Sequence, residues 1–289
     1  MEYKIPKRII QTGKSKSLSP LEKVSVNVIK LLHPDFEYIY FDDNEVLSFM
    51  QFNFSQYIDI FREFIFPIQR VDFFRYCVVY KMGGFYLDLD VILSKALYDL
   101  LNSRCVFPFE ELTVNNYLKK LHGMDWELGQ YAFGAVPNHD FLFEIIENCV
   151  KAQKNKEWSK IMIKSVPTFF RREHTVYCST GPGLVSRTFA ENNHFADDIN
   201  VLFPDDVCNR NNWGLFGEYG VHLGSGAWKY HSHSKCMYII KKLHNLWMYR
   251  KREILIKDAA KLGKTRNKYL HCGDMSGSYD YKDKINCKV

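Results

Sequence analysis

Residues 67–93 read PIQRVDFFRYCVVYKMGGFYLDLDVIL. Pro67 suits the first position of a helix, where its missing N–H costs nothing. The run to Met82 has helical length and spacing, and Gly83-Gly84 stops it. Phe85 to Leu93 then alternates as a strand does.

In a strand, residues two apart share a face. Asp88 and Asp90 are therefore expected to project together on the side of Tyr86, while Phe85, Leu87, Leu89 and Val91 turn into the core. Two carboxylates on one face repel unless a cation or proton comes between them. Hard oxygen ligands suit Mg²⁺ or Mn²⁺, and such an ion can also hold a diphosphate and neutralise charge as it leaves. Alone the D-x-D pattern is weak, since a chain of this length has about an even chance of containing one. The preceding helix strengthens it. Asp72, Arg75 and Tyr76 share one helical face, with Arg70 nearer the start. Such spacing is most often a local ion pair. Here it delivers an acid and a guanidinium beside the acidic strand, where they can bind sugar hydroxyls and phosphate.

Working outward, Lys7 to Gln11 (KRIIQ) reads as a short buried strand. Ser19, Pro20 and Glu22 spell a capped helix start, followed by an apolar stripe of Leu21, Val24, Val28, Leu31 and Leu32. His33-Pro34-Asp35 ends that helix, Phe36 to Phe41 is a second strand, and two short helices fit between Glu45 and Phe64. This alternation over the first 93 residues predicts an α/β domain with an open, largely parallel sheet. Ligands in such sheets lie outside the carboxyl ends of the strands. Further on, the pattern predicts a strand at Tyr131–Val136, a helix at about His139–Gln153, and a turn at Ser179-Thr180-Gly181-Pro182-Gly183 entering a helix. Val221–Trp228 is a glycine-rich segment, and residues 235–262 form a basic helix.

The 289 residues are 46% hydrophobic and 25% charged, enough for one large domain with a small appendage. The expected division is a catalytic domain over 1–234 and a basic, mostly helical extension over 235–289. The net charge is +6, yet residues 230–289 alone hold 14 Lys/Arg against 5 Asp/Glu. A membrane surface or anionic glycan fits this tail better than nucleic acid, because the tail lacks the interleaved aromatic and basic residues of a strand binder. The eight cysteines form no C-x-x-C pair, as expected in a reducing compartment, and show no zinc spacing. No signal peptide and no apolar run of about 18 residues is seen. The expectation is a cytoplasmic protein, peripheral on a membrane if it meets one.

The stretch Arg70-Val71-Asp72-Phe73-Phe74-Arg75-Tyr76 with Gly83-Gly84-Phe85-Tyr86-Leu87-Asp88-Leu89-Asp90 resembles the signature of the DXD-containing sugar-transferase family. That family includes fungal α-mannosyltransferases, bacterial capsule and lipopolysaccharide transferases and, distantly, clostridial glucosylating toxins. Ile5 to Thr12 resembles its opening strand, with Ile10 where histidine is usual. Ser179–Gly183 and His222–Trp228 resemble its late motifs, with two residues inserted between Ser225 and Trp228. The resemblance implies a GT-A fold, in which a Rossmann-like nucleotide-binding half with a mixed central sheet is fused to an acceptor-binding half. It implies a UDP- or GDP-linked donor, retention of anomeric configuration, and a role in surface polysaccharide synthesis. Asp72 and Arg75 would contact donor sugar and phosphates. Asp88 would hold the ribose or sugar side, with Asp90 on Mn²⁺ or Mg²⁺ and His222 a further ligand. Ile9, Gln11 and Thr12 would line the base pocket, Arg70 and Tyr86 would border the donor, and Ser225 and Trp228 would close over the diphosphate.

For the acceptor, a glycan or lipid-linked saccharide, Asp125, Trp126, Glu127 and Gln130 precede the Tyr131 strand, where a tryptophan beside carboxylates suits a sugar platform. Besides a nucleic-acid enzyme, which rests only on the basic tail, two other readings remain. A glycosidase also needs two carboxylates, but they must flank the scissile bond. A non-catalytic binder of glycans or nucleotide-sugars is the other, and the intact acidic pair counts against it.

Overall fold

The computed structural model describes residues 4–164, 166, 174–224 and 235–261. The chain opens with β1 (Arg8–Thr12), α1 (Pro20–Leu32), β2 (Glu37–Phe41), α2 (Asp43–Asn53) and α3 (Ile58–Glu63). Next come α4 (Pro67–Met82), β3 (Gly84–Leu87) and β4 (Val91–Leu93). The middle holds β5 (Cys105–Leu112), α5 (Asn116–His122), β6 (Trp126–Leu128), β7 (Ala132–Ala135), α6 (Asp140–Lys154) and α7 (Lys156–Lys160). The chain then runs through α8 (Thr175–Ser179), α9 (Pro182–Glu191), β8 (Ile199–Leu202), β9 (Leu215–Phe216), β10 (Gly220–His222) and α10 (Lys235–Lys261).

Local chemistry explains the boundaries. The capping box read at α1 is present, with the Ser19 hydroxyl accepting from the Glu22 N–H and the Glu22 carboxylate accepting from the Ser19 N–H. Asp42 and Glu45 form a second one at α2. α4 ends where Gly83 and Gly84 take φ of +67° and +103°. A Cβ at Gly84 would also fall 2.8 Å from the Arg8 carbonyl oxygen, so this turn accepts no side chain.

The main sheet runs β2-β1-β3-β7-β5-β6, with β8 also paired to β5. β2, β1 and β3 are parallel, as the early alternation predicts. β7 is antiparallel to β3 and β5, and β8 is parallel to β5, so the sheet as a whole is mixed. A second, small antiparallel sheet runs β4-β10-β9. Helices flank the main sheet, giving a mixed α/β fold of GT-A type. One core packs α4, α6 and α9 on one face through Phe73, Phe74, Phe107, Phe133, Phe141 and Phe189. A smaller one gathers Ile9, Ile29, Phe85, Leu87 and Leu97 on the other. Cys77, Cys105, Cys149 and Cys178 are buried free thiols.

The single strand expected over Phe85–Leu93 is in fact two. β3 ends at Leu87, and Asp88-Leu89-Asp90 forms a turn closed by the Val91 N–H donating to the Asp88 carbonyl at 3.0 Å. β4 then joins the small sheet. The alternation of FYLDLDVIL is unbroken in sequence, but its two ends pair with different partners.

Candidate active site

The two acids converge because their turn is tied on both sides. The Asp88 N–H donates to the Tyr131 carbonyl at 2.7 Å, and Gln11 Nε2 donates to the Asp88 carbonyl at 3.3 Å. The Asp90 carbonyl accepts from the Leu223 N–H at 3.0 Å, which anchors the end of β10. Register in the small sheet places His222 opposite Val91, and its Nε2 lies 3.3 Å from Asp90 Oδ1. Asp88, Asp90 and His222 each offer a ligand atom, all within 4.8 Å of one another. Two carboxylates and an imidazole form a donor set suited to a divalent cation. Tyr131 fixes the imidazole plane by stacking on it, with centroids 4.4 Å apart and 14° between planes.

Behind this cluster lies a buried polar layer on α4. Arg75 Nη2 is 3.2 Å from Asp72 Oδ1 and 3.2 Å from Asp88 Oδ1, and its Nη1 donates to the Gln130 carbonyl at 3.0 Å. The guanidinium lies 4.7 Å from the Tyr86 ring centroid. Asp72, 1% exposed, also accepts from Gln130 Nε2 at 3.1 Å and Thr180 Oγ1 at 3.0 Å. Tyr76 donates to the Thr180 carbonyl at 2.8 Å and to Gln130 Oε1. On the β1 side, Thr12 and Tyr86 share a hydroxyl contact of 2.8 Å, and Tyr86 donates to Asp88 Oδ1 at 3.0 Å. Tyr38 donates to Gln11 Oε1 at 2.9 Å.

The electrostatics follow from burial and these partners. Burial pushes the Asp72 carboxyl up to about 6, against the pull of Arg75 and the Thr180 bond. Asp88 is likewise raised, burial outweighing Arg75 and His222. For Arg75 burial opposes the charge, but Asp88 and its neighbours outweigh it and keep the cation fixed. For His222 burial lowers the pKa, and the Asp90 bond with the charges of Asp88 and Asp90 more than restores it, so the net shift is upward.

The structure therefore gathers Gln11, Thr12, Asp72, Arg75, Tyr86, Asp88, Asp90 and His222 in one place. Ile9 is fully buried in the smaller core beneath them. Arg70 is partly buried near the start of α4, within electrostatic reach of Asp43. Ser225 and Trp228 lie outside the described residues. Trp126 does not serve as a sugar platform: it is 1% exposed and packed between Phe189 and Phe203. Glu127 is buried too, accepting from Thr113 and Tyr177. Of that group it is Gln130 that reaches the site. Two contributors carried no assigned role in sequence. Thr180 stood inside the noted Ser-Thr-Gly-Pro-Gly turn, and Tyr131 had only its place at a strand start as a signal.

Residues 20–107 match the family described as the glycosyltransferase sugar-binding region containing the DXD motif. The chain carries a DXD-motif glycosyltransferase domain, related to fungal mannosyltransferases. It is 29% identical over 191 residues to inositol phosphoceramide mannosyltransferase 1 of Schizosaccharomyces pombe, covering 65% of this chain and 52% of that protein. A mannosyl phosphorylinositol ceramide synthase of Saccharomyces cerevisiae is 27% identical over 213 residues, covering 72% and 50%. An uncharacterized glycosyltransferase of Acanthamoeba polyphaga mimivirus is 25% identical over 216 residues, covering 74% and 78%. The chain spans about half the length of the two fungal proteins. The glycosyltransferase match includes α4, the glycine turn and both DXD acids, but ends before His222.

Proposed function

We propose that the protein is a retaining glycosyltransferase that moves a hexose or N-acetylhexosamine from a UDP- or GDP-sugar to a glycan or lipid-linked saccharide. The observation that carries this reading is the convergence of Asp88, Asp90 and His222 within 4.8 Å, in front of the buried Arg75. The names of the fungal relatives, a mannosyltransferase and a mannosyl lipid synthase, favour mannose and a lipid acceptor among these choices.

Asp88, Asp90 and His222 would hold Mn²⁺ or Mg²⁺, which when bound neutralises charge on the departing diphosphate. Arg75 supplies a second positive charge that needs no proton from solvent. Asp72 and Gln130 hold that guanidinium in place behind the metal cluster, and Thr180 anchors Asp72. Gln11 and Thr12, at the carboxyl end of β1, mark the nucleotide side, with Ile9 packed beneath. The acceptor hydroxyl attacks from the face the diphosphate leaves, and the leaving phosphate takes its proton, so no protein base is required. A glycosidase fits less well. Its carboxyl groups flank the bond about 5–9 Å apart, whereas here both acids share one turn.

The test is donor hydrolysis over a panel of UDP- and GDP-sugars with chelator-stripped protein. Hydrolysis of one donor should return on adding Mn²⁺ or Mg²⁺ and fall about 100-fold in Asp90→Asn, the scale of losing one charge-stabilising group. An Asp90→Asn protein that releases nucleotide as fast as wild type would sink the reading.

A further inference from the structure

α10 has two unlike faces. Inward, Met248 is 8% exposed, Arg252 pairs with Glu111, Glu253 accepts from Arg210 at 3.4 Å, and Ile256 packs against the core. Outward, Leu243, Leu246, Arg250, Ile254 and Lys257 follow one another at steps of three and four, which on a helix is a single stripe. The apolar members are 52%, 48% and 58% exposed, and both cations are exposed as well. Lys242 stands exposed beside the stripe, and Lys251 covers the Trp247 ring with its Nζ 4.5 Å from the centroid.

We infer that this outer face of α10 docks on an anionic lipid surface. Exposed leucine and isoleucine interleaved with Arg and Lys on one stripe can enter the headgroup layer together, the apolar side chains meeting the acyl boundary and the long cationic ones reaching the phosphates. The inward contacts fix the helix against the protein, so the stripe is presented rather than buried. The charge argues for lipid over a second copy of this chain. Two such stripes would oppose their cations, and residues 230–289 hold 14 Lys/Arg against 5 Asp/Glu. Among the described residues no helix is long and apolar enough to cross a membrane.

The experiment is sedimentation of the full chain with vesicles of phosphatidylcholine alone or mixed with phosphatidylserine. The protein should pellet with the mixed vesicles only, and added salt should release it. Replacing Arg250→Gln with Lys257→Gln should weaken binding about 30-fold, the weight of two cations at an anionic surface. Replacing Leu243→Ser, Leu246→Ser and Ile254→Ser together should abolish pelleting, with thermal unfolding confirming that the variant folds. Equal pelleting on neutral vesicles, or no loss in either variant, overturns the inference. So does a dimer in sedimentation equilibrium that the Leu/Ile variant dissolves, which would assign the face to a second copy.

Discussion

Arg75 reaches back one helical turn to Asp72, with Nη2 3.2 Å from Oδ1, and this contact is almost wholly shielded from water. Removing the cation alone leaves buried acids uncompensated. Arg75→Met should therefore lose about 3–5 kcal/mol of stability in urea unfolding. Adding Asp72→Asn to it should recover part of the loss. Equal stability of the two variants would show that Asp72 is indifferent to its partner.

Tyr131 holds the plane of His222 by stacking and donates its own hydroxyl to the Leu215 carbonyl at 2.9 Å. Tyr131→Leu should weaken Mn²⁺ binding about tenfold in calorimetry, as expected for a residue that orients a ligand. Tyr131→Phe keeps the ring and should bind Mn²⁺ nearly as wild type does. The imidazole must be neutral to ligate, and its pKa lies above the ordinary 6.5. Mn²⁺ affinity should accordingly fall as pH drops through that raised value.

Much of the fold was legible because its signals are local. The α1 capping box, the proline start and glycine stop of α4, and the β1 and β2 patterns each need only a few neighbouring residues. β5 and β8 were not legible. β5 contains Pro108 and ends in Glu110-Glu111-Leu112, and it owes its place to partners far away in sequence. The same limit applies in the site. Asp72, Arg75, Asp88 and Asp90 lie within one short stretch, whereas Thr180 reaches Asp72 across 108 residues. Trp126 failed as a platform because only tertiary packing shows which side of a strand faces Phe189 and Phe203.

Thr180 supplies one of the donors to Asp72 and holds its pKa down. Thr180→Val keeps the shape and removes the hydroxyl. It should cost about 1–3 kcal/mol, more at about pH 8 than at about pH 5, where Asp72 takes up a proton. A pH-independent loss in urea unfolding would point to packing instead.

Glu127 is buried, and burial with the nearby Glu111 pushes its carboxyl up to about 8 from 4.5, against the Thr113 and Tyr177 bonds. The unfolded chain releases this proton near the lower value and the folded chain near the higher. Between them stability falls as pH rises, by up to about 1.4 kcal/mol per unit. Glu127→Gln should flatten that slope and raise the melting temperature most at the alkaline end. An unchanged slope in thermal melts would refute the assignment.

The turn at Asp88-Leu89-Asp90 is the seam where the main sheet hands the chain to the small one, and His222 belongs to the far side of it. Asp88, Asp90 and His222, holding one ion together, would rivet two separately built pieces. Faults in β9, which meets the cluster through its pairing with β10, would then show themselves as a loosened grip on manganese.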